Sequence, residues 1–88
     1  MNPYFYNKNQ ILEALKDVNL IESIEEGFVE YSRGNSVVPP VGELLFDEPP
    51  GDVHIKYGYI KSQDNYVVKI ASGFSNNEQL GLSSSHGV

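Results

Sequence analysis

Apolar positions in this chain follow a helical period near its start and a strand period through its middle, and the change comes near residue 35. Leu20, Ile21, Ile24, Phe28 and Tyr31 recur at steps of mostly three and four, with Glu22, Glu25, Glu26 and Glu30 mostly on the opposite face, which predicts an amphipathic helix. Asn19 followed by Glu22 has the form of a capping box at its start, and Gly34 is suited to the left-handed turn that closes it. Upstream, Asn7 or Asn9 offers a cap for a shorter helix carrying Ile11, Leu12 and Leu15, and Tyr4 to Tyr6 can form an opening strand.

Beyond residue 35 two proline pairs, Pro39-Pro40 and Pro49-Pro50, bracket one strand over Val41 to Phe46. Proline cannot donate to a ladder, so this strand belongs at an edge. Gly51-Asp52 reads as a turn. Val53 to Ile60 and Tyr66 to Ser72, rich in Val, Ile and Tyr, are two further strands joined by Lys61 to Asn65, forming a β-hairpin. After Gly73 the chain turns polar, and Gly87-Val88 has the look of the first step of another strand. The expected architecture is α+β, with two N-terminal helices packed on a mostly antiparallel sheet in a single domain over residues 1–88.

Alternation fixes what the hairpin presents on each side. Val53, Ile55, Tyr57 and Tyr59 share one face of the first strand, as do Tyr66, Val68 and Ile70 in the second. Matching these faces pairs Tyr59 with Tyr66, Tyr57 with Val68 and Ile55 with Ile70, and therefore sets Lys56 directly opposite Lys69. Like charges facing one another across a ladder are unfavourable by roughly 0.2 to 1 kcal/mol. Three arrangements relieve this: both ammonium groups extend into solvent, a nearby carboxylate such as Glu43 pairs with them, or a ligand acid group does.

Composition narrows the functional classes. With 40% apolar and 20% charged residues, most of the 88-residue chain should fold, but a domain of this size buries only about 60% of its unfolded surface, so a stabilising partner is expected. A net charge of -6, a single arginine and scattered lysines disfavour nucleic-acid binding. There are no cysteines, hence neither disulfides nor thiolate chemistry, in keeping with a reducing cytoplasm. No apolar run reaches the roughly 18 residues of a membrane span, and the first residues lack the pattern of a signal peptide, so a soluble cytoplasmic protein is expected. His54 and His86 lack metal-ligand spacing and read as structural, Ser83 to Ser85 reads as a loop rather than a nucleophile, and Asp52 is not expected to be catalytic. No Gly-x-Gly-x-x-Gly phosphate loop occurs.

Four ordered blocks, Val38-Pro-Pro-Val-Gly-Glu-Leu44, Pro49-Pro-Gly-Asp-Val-His-Ile-Lys-Tyr-Gly-Tyr59, Val68-Lys-Ile-Ala-Ser-Gly-Phe74 and Leu80-Gly-Leu-Ser-Ser-Ser-His-Gly-Val88, resemble the N-terminal region of ornithine cyclodeaminase/mu-crystallin proteins. Ile21 to Phe28 is similar to that family's first long helix. The resemblance implies a substrate-binding and dimerisation domain whose sheet extends across a homodimer. Full-length members add a Rossmann domain holding NAD or NADP and carry out cyclising deamination or imine reduction on a small amino-acid or imino-acid ligand. Mu-crystallin-like members also bind thyroid hormone. By this likeness Lys69 matches the lysine that contacts the substrate carboxylate, and Lys56 falls on the opposite wall of the same pocket. The family often carries an arginine where this chain has Val41-Gly42, which leaves substrate identity open.

The leading expectation is therefore the N-terminal part of an NAD(P)-dependent cyclodeaminase or imine reductase. Alone it would be inactive and hold no cofactor, because hydride chemistry belongs to a cofactor bound elsewhere. The alternative is a stand-alone self-association or regulatory module without catalysis.

Overall fold

The computed structural model describes residues 3–88 and has two helices followed by a five-stranded sheet. Helix α1, Lys8–Leu15, begins where Asn7 and Gln10 satisfy each other: Asn7 Oδ1 accepts from the Gln10 amide at 2.9 Å and Gln10 Oε1 accepts from the Asn7 amide at 2.8 Å. Helix α2, Leu20–Ser32, has only half of the box its sequence suggests, since Asn19 Oδ1 accepts from the Glu22 amide at 3.1 Å and Glu22 makes no return bond. Its other end closes through Gly34 at φ +75. The Gly34 amide donates to the Tyr31 carbonyl and the Asn35 amide to the Glu30 carbonyl, leaving neither carbonyl orphaned. Tyr4 to Tyr6 form no strand; with nothing extended beside them to supply partners, they run as irregular chain.

The strands are β1 Ser36–Val37, β2 Gly42–Asp47, β3 Pro50–Ile60, β4 Tyr66–Gly73 and β5 Ser85–Gly87, and every pairing is antiparallel. Strand β3 is the spine. It takes β1 and β2 along one edge and β4 along the other, with β5 beyond β4. The β3–β4 register is the one alternation demands, including Tyr59 opposite Tyr66 and Lys56 opposite Lys69.

Three local expectations need correction. Gly51 and Asp52 lie inside β3, facing Phe46 and Leu45 of β2, because the reversal is completed by Glu48 and Pro49 alone and Pro50 already opens the strand, where its missing N–H is least costly. Ser85 is not loop but the first residue of β5. Gly87 belongs to that same strand, rather than starting a new one, since Ser85, His86 and Gly87 find backbone partners on β4. Between β4 and β5, the polar stretch Ser75–Leu80 winds into a 3₁₀ helix that ends at Gly81 in the left-handed region.

The prolines do more than end strands. Val37 pairs with Tyr59 and Gly42 with Ile55, so the four residues 38 to 41 stand opposite the three residues 56 to 58. That surplus of one is a β-bulge, and Pro39-Pro40, having no N–H to donate, is the part of the edge that can leave the ladder without cost. The bulged segment is drawn against Gly58. A Cβ there would lie 2.6 Å from the Val37 carbonyl oxygen, so only glycine permits the approach. Gly51 serves likewise under Phe74, whose ring packs against Phe46 in a tilted arrangement with centroids 5.5 Å apart.

No hydrophobic side chain among the described residues is buried, and Ile21, Phe28 and Tyr31 of α2 are each more than 60% exposed. The accessible surface is 7928 Å², whereas a folded monomer of this mass exposes about 5,200 Å². The radius of gyration is 16.4 Å, against about 12 Å for a compact domain of this length. Helix α2 meets the sheet along β3, and α1 makes no extended contact with it.

Candidate ligand site on the lysine face

Even-numbered residues of β3 and odd-numbered residues of β4 share one side of the sheet, here the lysine face. It runs from Glu43, His54 and Ala71 through Lys56 and Lys69 to Gly58 and Val67. Because the two lysines are direct cross-strand partners, their ammonium groups leave the sheet on the same side. Neither has an ion-pair partner among the described residues. The carboxylate that seemed best placed to neutralise them, Glu43, is engaged with His54 Nε2 at 2.8 Å. Register explains this choice, since Glu43 faces His54 across the β2–β3 ladder whereas Lys56 is one pair further along the face.

The lysine pair separates two cavities. On one side lies an open cavity of about 440 Å³, bounded by Tyr31 of α2, the bulge residues Val38, Pro39 and Val41, and Val67 of β4. Gln63 and Asn65 of the β3–β4 loop also line it. Lys56 and Lys69 belong to this wall, and among the described residues no carboxylate lines it. On the other side is a smaller notch of about 230 Å³ made by His54, Lys56, Lys69 and Ala71. Both cavities are thus cationic where the lysines stand. The larger is apolar beyond them.

Local sequence accounts for each wall. The bulge is fixed by the proline pair and Gly58, Tyr31 is delivered by the last turn of α2, and the Schellman closure at Gly34 turns the chain straight into β1. The notch exists because side chains shrink across the sheet: Glu43, His54, Ala71 and Gly87 are successive cross-strand neighbours on β2, β3, β4 and β5. Sequence reasoning placed Lys56 and Lys69 together but assigned His54 a structural role. The signal for more was present, since a strand position opposite Glu43 and next to the lysines follows once the β2–β3 register is known. His86 lies on the other face, paired with Ser72. No group of three or more His, Cys, Asp or Glu residues among the described residues is arranged to hold a metal ion. Among the described residues no helix is long and apolar enough to cross a membrane.

Comparison with known proteins finds two curated relatives. The chain is 29% identical over 72 residues to "Putative dehydrogenase RB0419" of Rhizobium meliloti (strain 1021). It is 30% identical over 73 residues to "Uncharacterized cyclodeaminase y4tK" of Sinorhizobium fredii (strain NBRC 101917 / NGR234). Each alignment takes in 82% of this chain but 22% of the relative, so the chain spans about a fifth of the length of these curated proteins. No family model matches the chain, and no solved structure matches it.

Proposed function

We propose that this chain is the N-terminal substrate-binding and dimerisation part of an ornithine cyclodeaminase-like protein, using Lys69 and Lys56 to receive the acid group of a small amino-acid or imino-acid ligand. The observation that carries the reading is the direct pairing of two lysines on one face, unneutralised by any described carboxylate, at the wall of a shared cavity. A like-charged cross-strand pair is unfavourable by itself, and an anion bridging it converts repulsion into two charge-assisted hydrogen bonds. The resemblance in sequence to a named cyclodeaminase and a named dehydrogenase supplies the chemical class.

In this reading the nicotinamide cofactor, NAD or NADP, is held elsewhere. The sequence has no glycine-rich phosphate loop and the described strands pair antiparallel, which supports placing the dinucleotide elsewhere. Its contribution is to bind and orient the substrate acid group, and no hydride step is assigned to it.

A second reading, self-association, rests on a different observation. The tyrosine face of the same sheet is apolar and open, with Tyr57, Tyr59, Val68 and Ile70 between 41% and 49% exposed. A second copy laid on this face supplies the missing core, and the two readings describe opposite sides of one sheet.

The ligand reading is tested by titrating the chain with L-proline and with its carboxamide, followed by NMR of the backbone amides. Proline is expected to shift residues of β3 and β4 around the lysines, the carboxamide to do so far less, and Lys69→Ala to lose the response with its folded spectrum intact. Equal binding of acid and amide, or an unchanged response in Lys69→Ala, overturns it.

A further inference from the structure

The lysine pair has two sides, and the structure distinguishes them. Towards Gly58 and Val67 the cavity is large and apolar; towards Ala71 and His54 it is a small notch whose polar wall is an imidazole. We propose that the ligand's acid group occupies the notch, with His54 as its third hydrogen-bonding partner, while its apolar part lies across the lysines in the larger cavity. This rests on the reading that the lysines receive an acid group, and adds where that group sits and what else holds it.

Three observations converge on the notch. First, the four side chains that form it include three nitrogen bases and a methyl group, with no carboxylate among them. Second, His54 is fixed rather than free. Its Nε2 is bonded to Glu43 Oε2 at 2.8 Å, which holds the ring in one orientation and leaves Nδ1 without a protein partner among the described residues. An acid group is held through Nδ1 only by the ring that carries a proton on each nitrogen, one donated to Glu43 and the other to the ligand. Third, Ala71 stands opposite His54 across β3 and β4, and Gly87 follows on β5, so the space beside the ring is not filled by the neighbouring strands.

His54 is a positioning and binding group here, not a general acid. The charged groups sharing its face are Glu43 on β2, Asp52 and Lys56 on β3 and Lys69 on β4. Two of these groups are cationic and two anionic, and an arriving acid group adds the negative charge that the notch itself lacks. Ligand binding and ring protonation are then coupled, each strengthening the other by the same factor. The ligand class that fits is a small amino or imino acid with an uncharged or apolar remainder, since the larger cavity offers no described carboxylate to a side-chain ammonium.

The test measures L-proline affinity at about pH 5.5 and about pH 8.5, a range that spans the ordinary titration of imidazole and leaves the ligand's own groups unchanged. Binding to the unaltered chain is expected to be roughly three- to tenfold tighter at the lower pH, the size of one added charge-assisted hydrogen bond at a partly exposed site. His54→Gln should abolish that ratio while keeping weakened binding. Ala71→Val, a change strands tolerate, should fill the notch and remove most of the affinity with the fold intact. If proline binds, requires Lys69, and keeps both its affinity in Ala71→Val and its pH ratio in His54→Gln, the acid group lies on the other side and this assignment is wrong while the lysine reading stands. If proline does not bind, or binds independently of Lys69, both fall. Should His54→Gln not fold, Glu43→Gln serves: the ring then loses its charged partner, and an undiminished pH ratio overturns the proposal.

Discussion

The two faces of this sheet are made from alternate residues of the same strands, yet they pose opposite physical problems. On the tyrosine face, Val53, Ile55, Tyr57, Tyr59, Val68 and Ile70 form a continuous apolar surface with no core beneath it. On the lysine face, two cations stand side by side with their nearest carboxylate already committed to His54. The first lacks apolar cover and the second lacks an anion. An apolar surface is satisfied by any well-fitting hydrophobic partner, whereas a paired cationic site with a bulge, a helix turn and an imidazole around it selects for charge and size. In the reading proposed above, the first face serves assembly and the second recognition.

The sharpest way to break this division is to charge the apolar face. At micromolar concentration the chain is expected to sediment as a dimer or larger. Val68→Asp, which would bury an unpaired carboxylate in such an interface, should weaken association by at least about 3 kcal/mol and yield monomer. Sedimentation of the unaltered chain as monomer alone would remove assembly from the account. The next largest effect is expected at Gly58. Val at this position forces the bulge off the sheet and should cost about 1 to 3 kcal/mol in urea unfolding, together with the wall of the larger cavity. Gly27, around which a Cβ would meet nothing within 4 Å, is the control; Gly27→Ala should stabilise α2 by about 0.5 to 1 kcal/mol.

A subtler change sets function against stability on the lysine face. Lys56→Glu replaces a repulsive cross-strand pair by an attractive one, and should raise stability by up to about 1 kcal/mol while eliminating proline binding. Greater stability with retained binding would show that the lysines act independently. The smallest expected effect lies outside the sheet. Asn7→Ala removes the cap of α1 and should lower its local stability by about 0.5 to 1 kcal/mol, seen as faster amide exchange in residues 8 to 15 with β3 and β4 unaffected. Matching loss of protection in the sheet would mean the helix is part of its cooperative unit.

The sequence by itself determined the two helices, the closure of α2 at Gly34, and the hairpin register that sets Lys56 against Lys69, because each depends on residues near one another in the chain and on a period that admits one solution. It also carried the resemblance in which Lys69 stands out. Only the tertiary structure decided that Glu43 binds His54 rather than a lysine, that Val38 to Val41 bulge over Gly58, and that Ser85 to Gly87 complete the sheet on β4. Those outcomes turn on which distant segments share an edge. Local periodicity says which way a side chain points but not which strand lies beside it, so the alternation that disclosed the lysine pair left the histidine beside it unrecognised.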